Sequence, residues 1–172
     1  MNRFCNIHMR NLGIWALYCL LPIAFAWAGI VHAADGVPAV SDISVHDFDA
    51  ETWQQLLKSG PRPAAYMFTT SYCSTCVEAF SSLRNSKQLK GRKVEFGLVM
   101  MDVDGVAAQR HASQFAGVNH LFAFSGFEAA IRYAIDPHWP NVTPYVVLID
   151  AAGKAEHAIG PPPPDMVRRW LR

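Results

Sequence analysis

The stretch FTTSYCSTCVEAF (residues 68–80) places two cysteines, Cys73 and Cys76, two residues apart at the end of a strand-like run. Apolar residues at helical spacing follow, among them Phe80 and Leu83, so a strand is predicted to meet a helix at the cysteines. Such a pair could be an exchangeable disulfide, half of a metal site or a structural crosslink. Which of the three it is decides what the protein does.

The first 34 residues have the features of an export signal. The opening MNRFCNIHMR carries two arginines and no acidic residue, and an apolar run extends from Leu12 to Ile30. Small residues follow, which predicts cleavage after Ala33 or Ala34. We therefore predict that residues 1–34 are a signal peptide directing export to the periplasm, with a retained membrane anchor as the alternative.

The exported part has a nearly balanced charge and two cysteines. It keeps thirteen of the fifteen Lys and Arg and all fourteen Asp and Glu, which gives a net charge near −1. A near-neutral chain without a basic run predicts that nucleic acid is not a partner. Cys5 and Cys19 leave with the signal, and an oxidising compartment allows Cys73 and Cys76 to pair.

Residues 47–172 are predicted to form one α/β domain, preceded by an irregular lead-in at residues 35–46. The pattern alternates strands and helices, then ends in a hairpin and a closing helix, which indicates a mixed central sheet flanked by helices. The predicted elements are a helix capped by Asp47 or Asp49 and stopped at Gly60, strands at 64–70, 93–105 and 118–125, helices at 74–90, 106–117 and 126–135, a hairpin at 143–160 and a final helix within 161–172.

A helix that starts at a Cys-x-x-Cys pair can activate the first sulfur. The unpaired N–H groups of the first turn and the positive end of the helix dipole both stabilise a thiolate. Cys73 is therefore predicted to act as the nucleophile. Cys76, one helical turn later, can close the disulfide and release a bound partner.

Thr143 and Pro144 form a second candidate element of the site, far away in sequence. A proline lacks the N–H that a sheet ladder needs, so it is expected at a strand start or where something else binds. An X–Pro bond can be cis at modest cost. A cis bond here would leave the backbone of Thr143 free to pair with an incoming extended peptide.

The chain resembles the exported thioredoxin-like proteins, and in particular the TlpA-like thiol–disulfide oxidoreductases. The resemblance is carried by YMFTTSYCSTC (66–76), VEFGLVMMDVD (94–104) and TPYVVLIDAAGK (143–154). It implies a thioredoxin fold, a redox-active Cys73/Cys76 pair and a cis-Pro144 facing it. It also implies that the partners are client proteins with reactive cysteines and a membrane thiol reductant or oxidant. We predict no organic cofactor and no metal ligand at the site.

Some residues depart from the pattern of that group. Tyr72 stands where a tryptophan is usual before the first cysteine, and no proline lies between Cys73 and Cys76. We expect Tyr72, together with Thr143 and Pro144, to contact the client. The residues between the cysteines do not predict whether the protein reduces or oxidises its clients.

Three other interpretations of the cysteine pair remain open. A structural disulfide is disfavoured because a bridge across so short a loop constrains the unfolded chain very little. A copper-binding carrier or chaperone would use Cys73, Cys76 and a histidine, for which His138 is the candidate because it lies near Pro144 in sequence. A redox-inert adaptor would keep the fold only for protein contacts.

Overall fold

The computed structural model describes residues 43–172, which form a six-stranded sheet with helices on both faces. A short 3-10 helix, Lys87–Leu89, precedes the third strand. The strands and helices are, in chain order, β1 Val45–Phe48, α1 Ala50–Ser59, β2 Ala64–Thr69, α2 Cys76–Arg84, β3 Glu95–Met100, α3 Gly105–Ala112, β4 His120–Phe124, α4 Glu128–Ile135, β5 Tyr145–Ile149, β6 Ala155–Ile159 and α5 Pro164–Trp170.

The sheet is mixed, with strand order β1-β4-β3-β2-β5-β6. The four strands from β1 to β2 are parallel, and β5 and β6 are added as an antiparallel pair. β2 and β5 are paired so that Phe68, near the end of β2, lies opposite Tyr145, the first residue of β5. The end of β2 and the start of β5 therefore meet at one end of the sheet.

Side chains of β2 alternate between two hydrophobic cores, as the period of a strand requires. Ala65 and Met67 face a core covered by α2, α3 and α5. Tyr66 and Phe68 face a second core covered by α1 and α4. All six residues of β2 are buried, which explains why the sequence shows a continuous apolar run there.

Asp49, one of the two predicted caps, is the N-cap residue of helix α1. The Asp49 carboxylate accepts a hydrogen bond from the Thr52 N–H at 2.7 Å, as an N-cap residue does. Asp47, the other predicted cap, instead lies in β1. Gly60 ends the helix, as predicted, and its N–H donates to the Leu56 carbonyl.

The prediction of an irregular segment up to residue 46 is wrong at Val45 and His46. These residues belong to β1, which pairs in parallel with β4 from Leu121 to Phe124. The strand is short and its burial does not alternate, because it is held by backbone pairing at the sheet edge and only Phe48 is buried. Such a strand leaves little signal in the sequence.

The predicted fold class is confirmed. Strand β2, helix α2 and strand β3, followed by the β5–β6 hairpin and α5, form the expected thioredoxin-like unit, and β4 and β1 extend its sheet at the β3 edge. Within residues 43–172, no helix is long and apolar enough to cross a bilayer. The predicted signal peptide at 1–34 and most of the lead-in lie outside the described residues.

Candidate active site

Cys73 lies in the turn that joins β2 to α2, and Cys76 is the first residue of the helix. The two form a disulfide with their Cα atoms 5.5 Å apart. Only Cys76 belongs to α2, whose N-cap is Thr75. Cys73 precedes the helix, which runs from Cys76 to Arg84 instead of the predicted 74–90. The turn is closed by hydrogen bonds from the Cys73 N–H to the Thr70 carbonyl and from the Cys76 N–H to the Cys73 carbonyl.

The two sulfurs differ in accessibility. Cys76 has no exposed surface and packs in the core beneath α2, whereas Cys73 is only partly buried. Tyr72, beside it, is 79% exposed, and the Thr75 hydroxyl lies 3.9 Å from the Cys73 sulfur. An incoming sulfur can therefore approach Cys73 but not Cys76.

The first turn of α2 offers unpaired donors next to the disulfide. The Thr75 side chain makes no capping hydrogen bond, and the first bond of the regular helical type runs from the Ala79 N–H to the Thr75 carbonyl. The N–H groups of Val77 and Glu78 bond to no other described residue. These groups are available to a negative charge at the helix start.

Asp102 holds the turn that carries Tyr72 and Cys73. Its carboxylate accepts hydrogen bonds from the Ser71 N–H at 2.9 and 3.1 Å and from the Ser71 hydroxyl at 2.5 Å. This contact was not predicted from the sequence, since the two residues follow different strands. The position of Asp102 just after β3 was the only available signal, because the ends of neighbouring parallel strands meet.

Pro144 lines a cavity together with residues at the start of α2. The Thr143–Pro144 peptide is cis, and Pro144 is buried. A cavity of about 270 Å³ joins the proline to the first two turns of the helix. It is lined by Thr75, Glu78, Ala79, Ser82, Pro144, Gly160 and Pro161.

A backbone hydrogen bond links Pro144 to Gly160 at the end of the β5–β6 hairpin. The Gly160 N–H donates to the Pro144 carbonyl at 2.8 Å, and Gly160 has φ +76°, a conformation that favours glycine. Thr143 is half-buried, and its N–H and carbonyl make no hydrogen bond to other residues of the described chain. A short stretch of backbone is thus left unpaired next to the helix that holds Cys76.

A hydrogen-bonded side-chain network supports the loop that leads to Pro144. The Tyr145 hydroxyl donates to the Asp136 carboxylate, and the His157 ring lies 2.9 Å from that hydroxyl and 3.2 Å from the carboxylate. Burial favours the neutral form of Asp136, but the hydrogen bonds from Tyr145, the His138 N–H and His157 outweigh it and lower its pKa. Burial, together with Asp136, raises the pKa of Tyr145.

His138, the candidate third metal ligand, does not form a metal-binding group with the two cysteines. His138 is 94% exposed and faces Asp136 at 3.6 Å. Among residues 43–172, no group of three or more His, Cys, Asp or Glu side chains is close enough to hold a metal ion. A larger cavity of about 560 Å³ beside α4 is lined by neither cysteine. Of its charged residues, Glu128 and Arg132 pair with each other, and Asp136 accepts a hydrogen bond from the Tyr145 hydroxyl.

The fold is similar to those of several solved thiol–disulfide oxidoreductases. A secreted disulfide oxidoreductase of Mycobacterium tuberculosis, homologous to E. coli DsbE, is 22% identical, with 60% of this chain and 71% of that one covered and a TM-score of 0.42. DsbF of M. tuberculosis, solved in mixed oxidised and reduced forms, is 18% identical, with 78% and 96% covered and a TM-score of 0.45.

A third similar structure is the thioredoxin domain of a Bacteroides vulgatus thiol–disulfide oxidoreductase. It is 14% identical, with 62% of this chain and 74% of that one covered and a TM-score of 0.44. No protein-family model and no curated protein matches the sequence. The assignment of the fold rests on the strand order and connections described above.

Proposed function

We propose that this protein is a thioredoxin-like thiol–disulfide oxidoreductase that exchanges disulfides with client proteins outside the cytoplasm. The observation that carries the proposal is the asymmetry of the disulfide. An accessible sulfur, Cys73, is bonded to a buried one, Cys76, at the start of α2 and beside the cavity lined by Pro144. This arrangement suits a bond that is opened from one side only.

The exchange runs through a mixed disulfide. A client thiolate attacks the Cys73 sulfur, the Cys73–Cys76 bond breaks, and its electron pair stays on Cys76 as a thiolate. A second client thiolate then attacks the client sulfur of the mixed disulfide and releases Cys73 as a thiolate. The client leaves oxidised and this protein leaves reduced, and the same steps in reverse reduce a client disulfide.

The start of α2 favours the sulfur chemistry electrostatically. The N–H groups of Val77 and Glu78 and the helix dipole stabilise negative charge on Cys73 when the disulfide opens. Cys76 is held in the core by the helix itself, so it stays within reach of Cys73. A resolving thiol kept this close shortens the life of the mixed disulfide.

Thr143, Pro144 and Tyr72 are proposed to bind the client chain. The unpaired backbone of Thr143 accepts an extended segment by strand-like hydrogen bonds, and Pro144 lines the cavity that meets α2. Tyr72 offers an exposed aromatic surface next to the reacting sulfur. The export signal predicted at 1–34 supports a periplasmic location and a membrane thiol partner that restores the resting redox state.

The first experiment measures turnover in an insulin reduction assay with a thiol reductant. Background thiols are removed by Cys5→Ala and Cys19→Ala, and Cys73→Ala is compared with that parent. We expect Cys73→Ala to fall to the uncatalysed rate, because the accessible sulfur is lost. A parent without turnover that binds Cu(I) tightly through Cys73 and Cys76 would favour the carrier instead.

The second experiment traps the client. With Cys76→Ala, the mixed disulfide at Cys73 has no resolving thiol, so covalent complexes should accumulate in cells and disappear on treatment with dithiothreitol. The matched control is the same chain with Cys73→Ala added. Recovery of only free protein from the Cys76→Ala strain would contradict the client mechanism.

A further inference from the structure

The cations of the domain are concentrated at the end of the sheet opposite the disulfide. β2 and β3 start at this end, where Ala64 pairs with Glu95. The segment that leads from α2 to β3 lies here, and the end of α5 packs against it. The Arg92 guanidinium donates to the Leu171 carbonyl at 3.1 Å, which ties the two segments together.

We define the basic pole as the exposed cations of these two segments, which make no ion pair within the described chain. Arg92 lines two neighbouring cavities, of about 360 and 280 Å³, and so joins the α5 cations to those before β3. Arg84 lines the second cavity at the edge of the pole. The members of the basic pole are Lys87, Lys90, Arg92, Lys93, Arg168 and Arg172.

Several acidic residues lie at the opposite end of the domain, whereas Glu95 and Asp150 lie at the same end as the basic pole. Asp49 and Asp104 precede α1 and α3, whose first turns lie at the disulfide end because each helix follows a parallel strand. No Lys or Arg occurs in residues 66–83 or 97–109, which surround the disulfide. The balanced net charge of the sequence therefore conceals an uneven distribution of the cations between the two ends.

We infer that the basic pole binds the surface of an anionic lipid bilayer through its headgroup phosphates, with the disulfide turned away from the membrane. β1 runs toward the disulfide end, so the described chain begins on the side of the basic pole. The apolar run Leu12–Ile30, the predicted signal or anchor, precedes that point. Because the described chain begins at this end and the predicted apolar segment precedes it in sequence, a membrane surface is favoured over nucleic acid. The inference does not depend on the redox activity.

The pole suits a phosphate-covered surface on energetic grounds. Its cations are exposed and bound to no carboxylate, so contact with lipid phosphate breaks no existing ion pair. Each Lys or Arg near an anionic surface adds affinity, and the contributions of three lysines amount to about 100-fold in binding. The attraction must weaken as salt shortens the screening length.

The test measures flotation of the full chain with vesicles of phosphatidylcholine alone or with about a third of phosphatidylglycerol added. We expect stronger binding to the anionic vesicles, and less of it at high salt. Lys87→Gln, Lys90→Gln and Lys93→Gln together should remove most of the preference, about 100-fold. The same three positions changed to Arg form the matched control and should retain it.

Several outcomes would overturn the inference. Equal binding of the parent and the three-Gln variant to anionic vesicles would show that the apolar segment alone holds the chain. Binding to duplex DNA that depends on the three lysines, without any vesicle preference, would assign the pole to nucleic acid. Binding of inorganic phosphate at constant ionic strength, again without vesicle preference, would assign it to a free anion.

The orientation has its own readout. In the reduced protein, modification of Cys73 by a bulky maleimide, followed by mass spectrometry of its peptide, should proceed equally fast in solution and on anionic vesicles. A large slowing on vesicles would mean that the disulfide end faces the lipid, which contradicts the inference. The three-Gln variant should keep full insulin reductase activity in solution, so loss of lipid binding and loss of redox activity are told apart.

Discussion

The two faces of the sheet bury cores of different kinds. Beneath α1 and α4, seven of fourteen buried residues are aromatic, whereas beneath α2, α3 and α5 only four of twenty-one are. Cys76 is fully buried among the mainly small and aliphatic side chains of the core beneath α2, α3 and α5. The aromatic face holds no reacting group, but its Tyr145 belongs to the network that supports the loop before Pro144. Packing support and chemistry are thus divided between the faces.

The largest expected effect is a loss of stability when a buried ring is removed from either face of the sheet. Trp53→Ala on the aromatic face and Phe80→Ala on the disulfide face each remove a buried ring, and each should lower the free energy of unfolding by about 3–5 kcal/mol. Only Phe80 lies on α2, one turn after Cys76, so only its loss should change the rate of disulfide exchange. Denaturant unfolding and insulin reduction on the folded proteins measure the two effects.

The milder pair Trp53→Phe and Phe80→Leu serves if the alanine variants fail to fold. If the Trp53 and Phe80 variants of either pair changed the rate of disulfide exchange equally, the difference in function between the two faces would be contradicted.

The second prediction concerns Asp136, whose pKa is lowered from its ordinary value of 3.8. Because the folded state binds this proton less readily than the unfolded state, its stabilisation is full above pH 3.8 and is lost as pH falls through the lowered pKa. Asp136→Asn should therefore cost about 1.5–3 kcal/mol of unfolding free energy at neutral pH, the usual worth of hydrogen bonds to a charged group. Denaturant titrations at several pH values measure the difference, which should shrink in acid.

Asp165→Asn is the matched control, since Asp165 also has a lowered pKa but pairs with Arg169 in solvent. Its effect should be small at every pH. A loss for Asp136→Asn that is independent of pH would show that the carboxylate charge is not what stabilises the loop.

The smallest expected effect concerns the turn beside the disulfide. Asp102→Asn weakens the hydrogen bonds to Ser71 and should cost about 1 kcal/mol of stability, because the site is exposed to water. The exchange rate should nevertheless fall several-fold, since the turn that presents Cys73 is less well fixed. Single-turnover exchange with a model disulfide peptide measures the rate.

Asp104→Asn controls for the charge change near the same strand end, because the Asp104 side chain makes no capping hydrogen bond. A rate that falls equally in both variants would attribute the effect to charge rather than to the position of the turn.

Local patterns in the sequence were sufficient for most of the fold. The apolar run of β2, the helical spacing of α2 and the turn within the β5–β6 hairpin depend on residues near one another, so each could be predicted. The Cys-x-x-Cys pair and Pro144 were found in the same way, since their residue types restrict what they can do. β1 could not be found, because an exposed edge strand is defined mainly by its partner β4.

The contacts between distant residues were decided by the tertiary structure alone. Asp102 meets Ser71 because two parallel strands end side by side, and Asp136 meets His157 because β6 folds back onto β5. The basic pole likewise exists only because the segment before β3 and the end of α5, which are far apart in sequence, pack together. The sequence by itself determined most of the elements and the candidate cysteine pair, since both depend on neighbouring residues. Only the packed chain decided which charges and hydrogen bonds surround that pair.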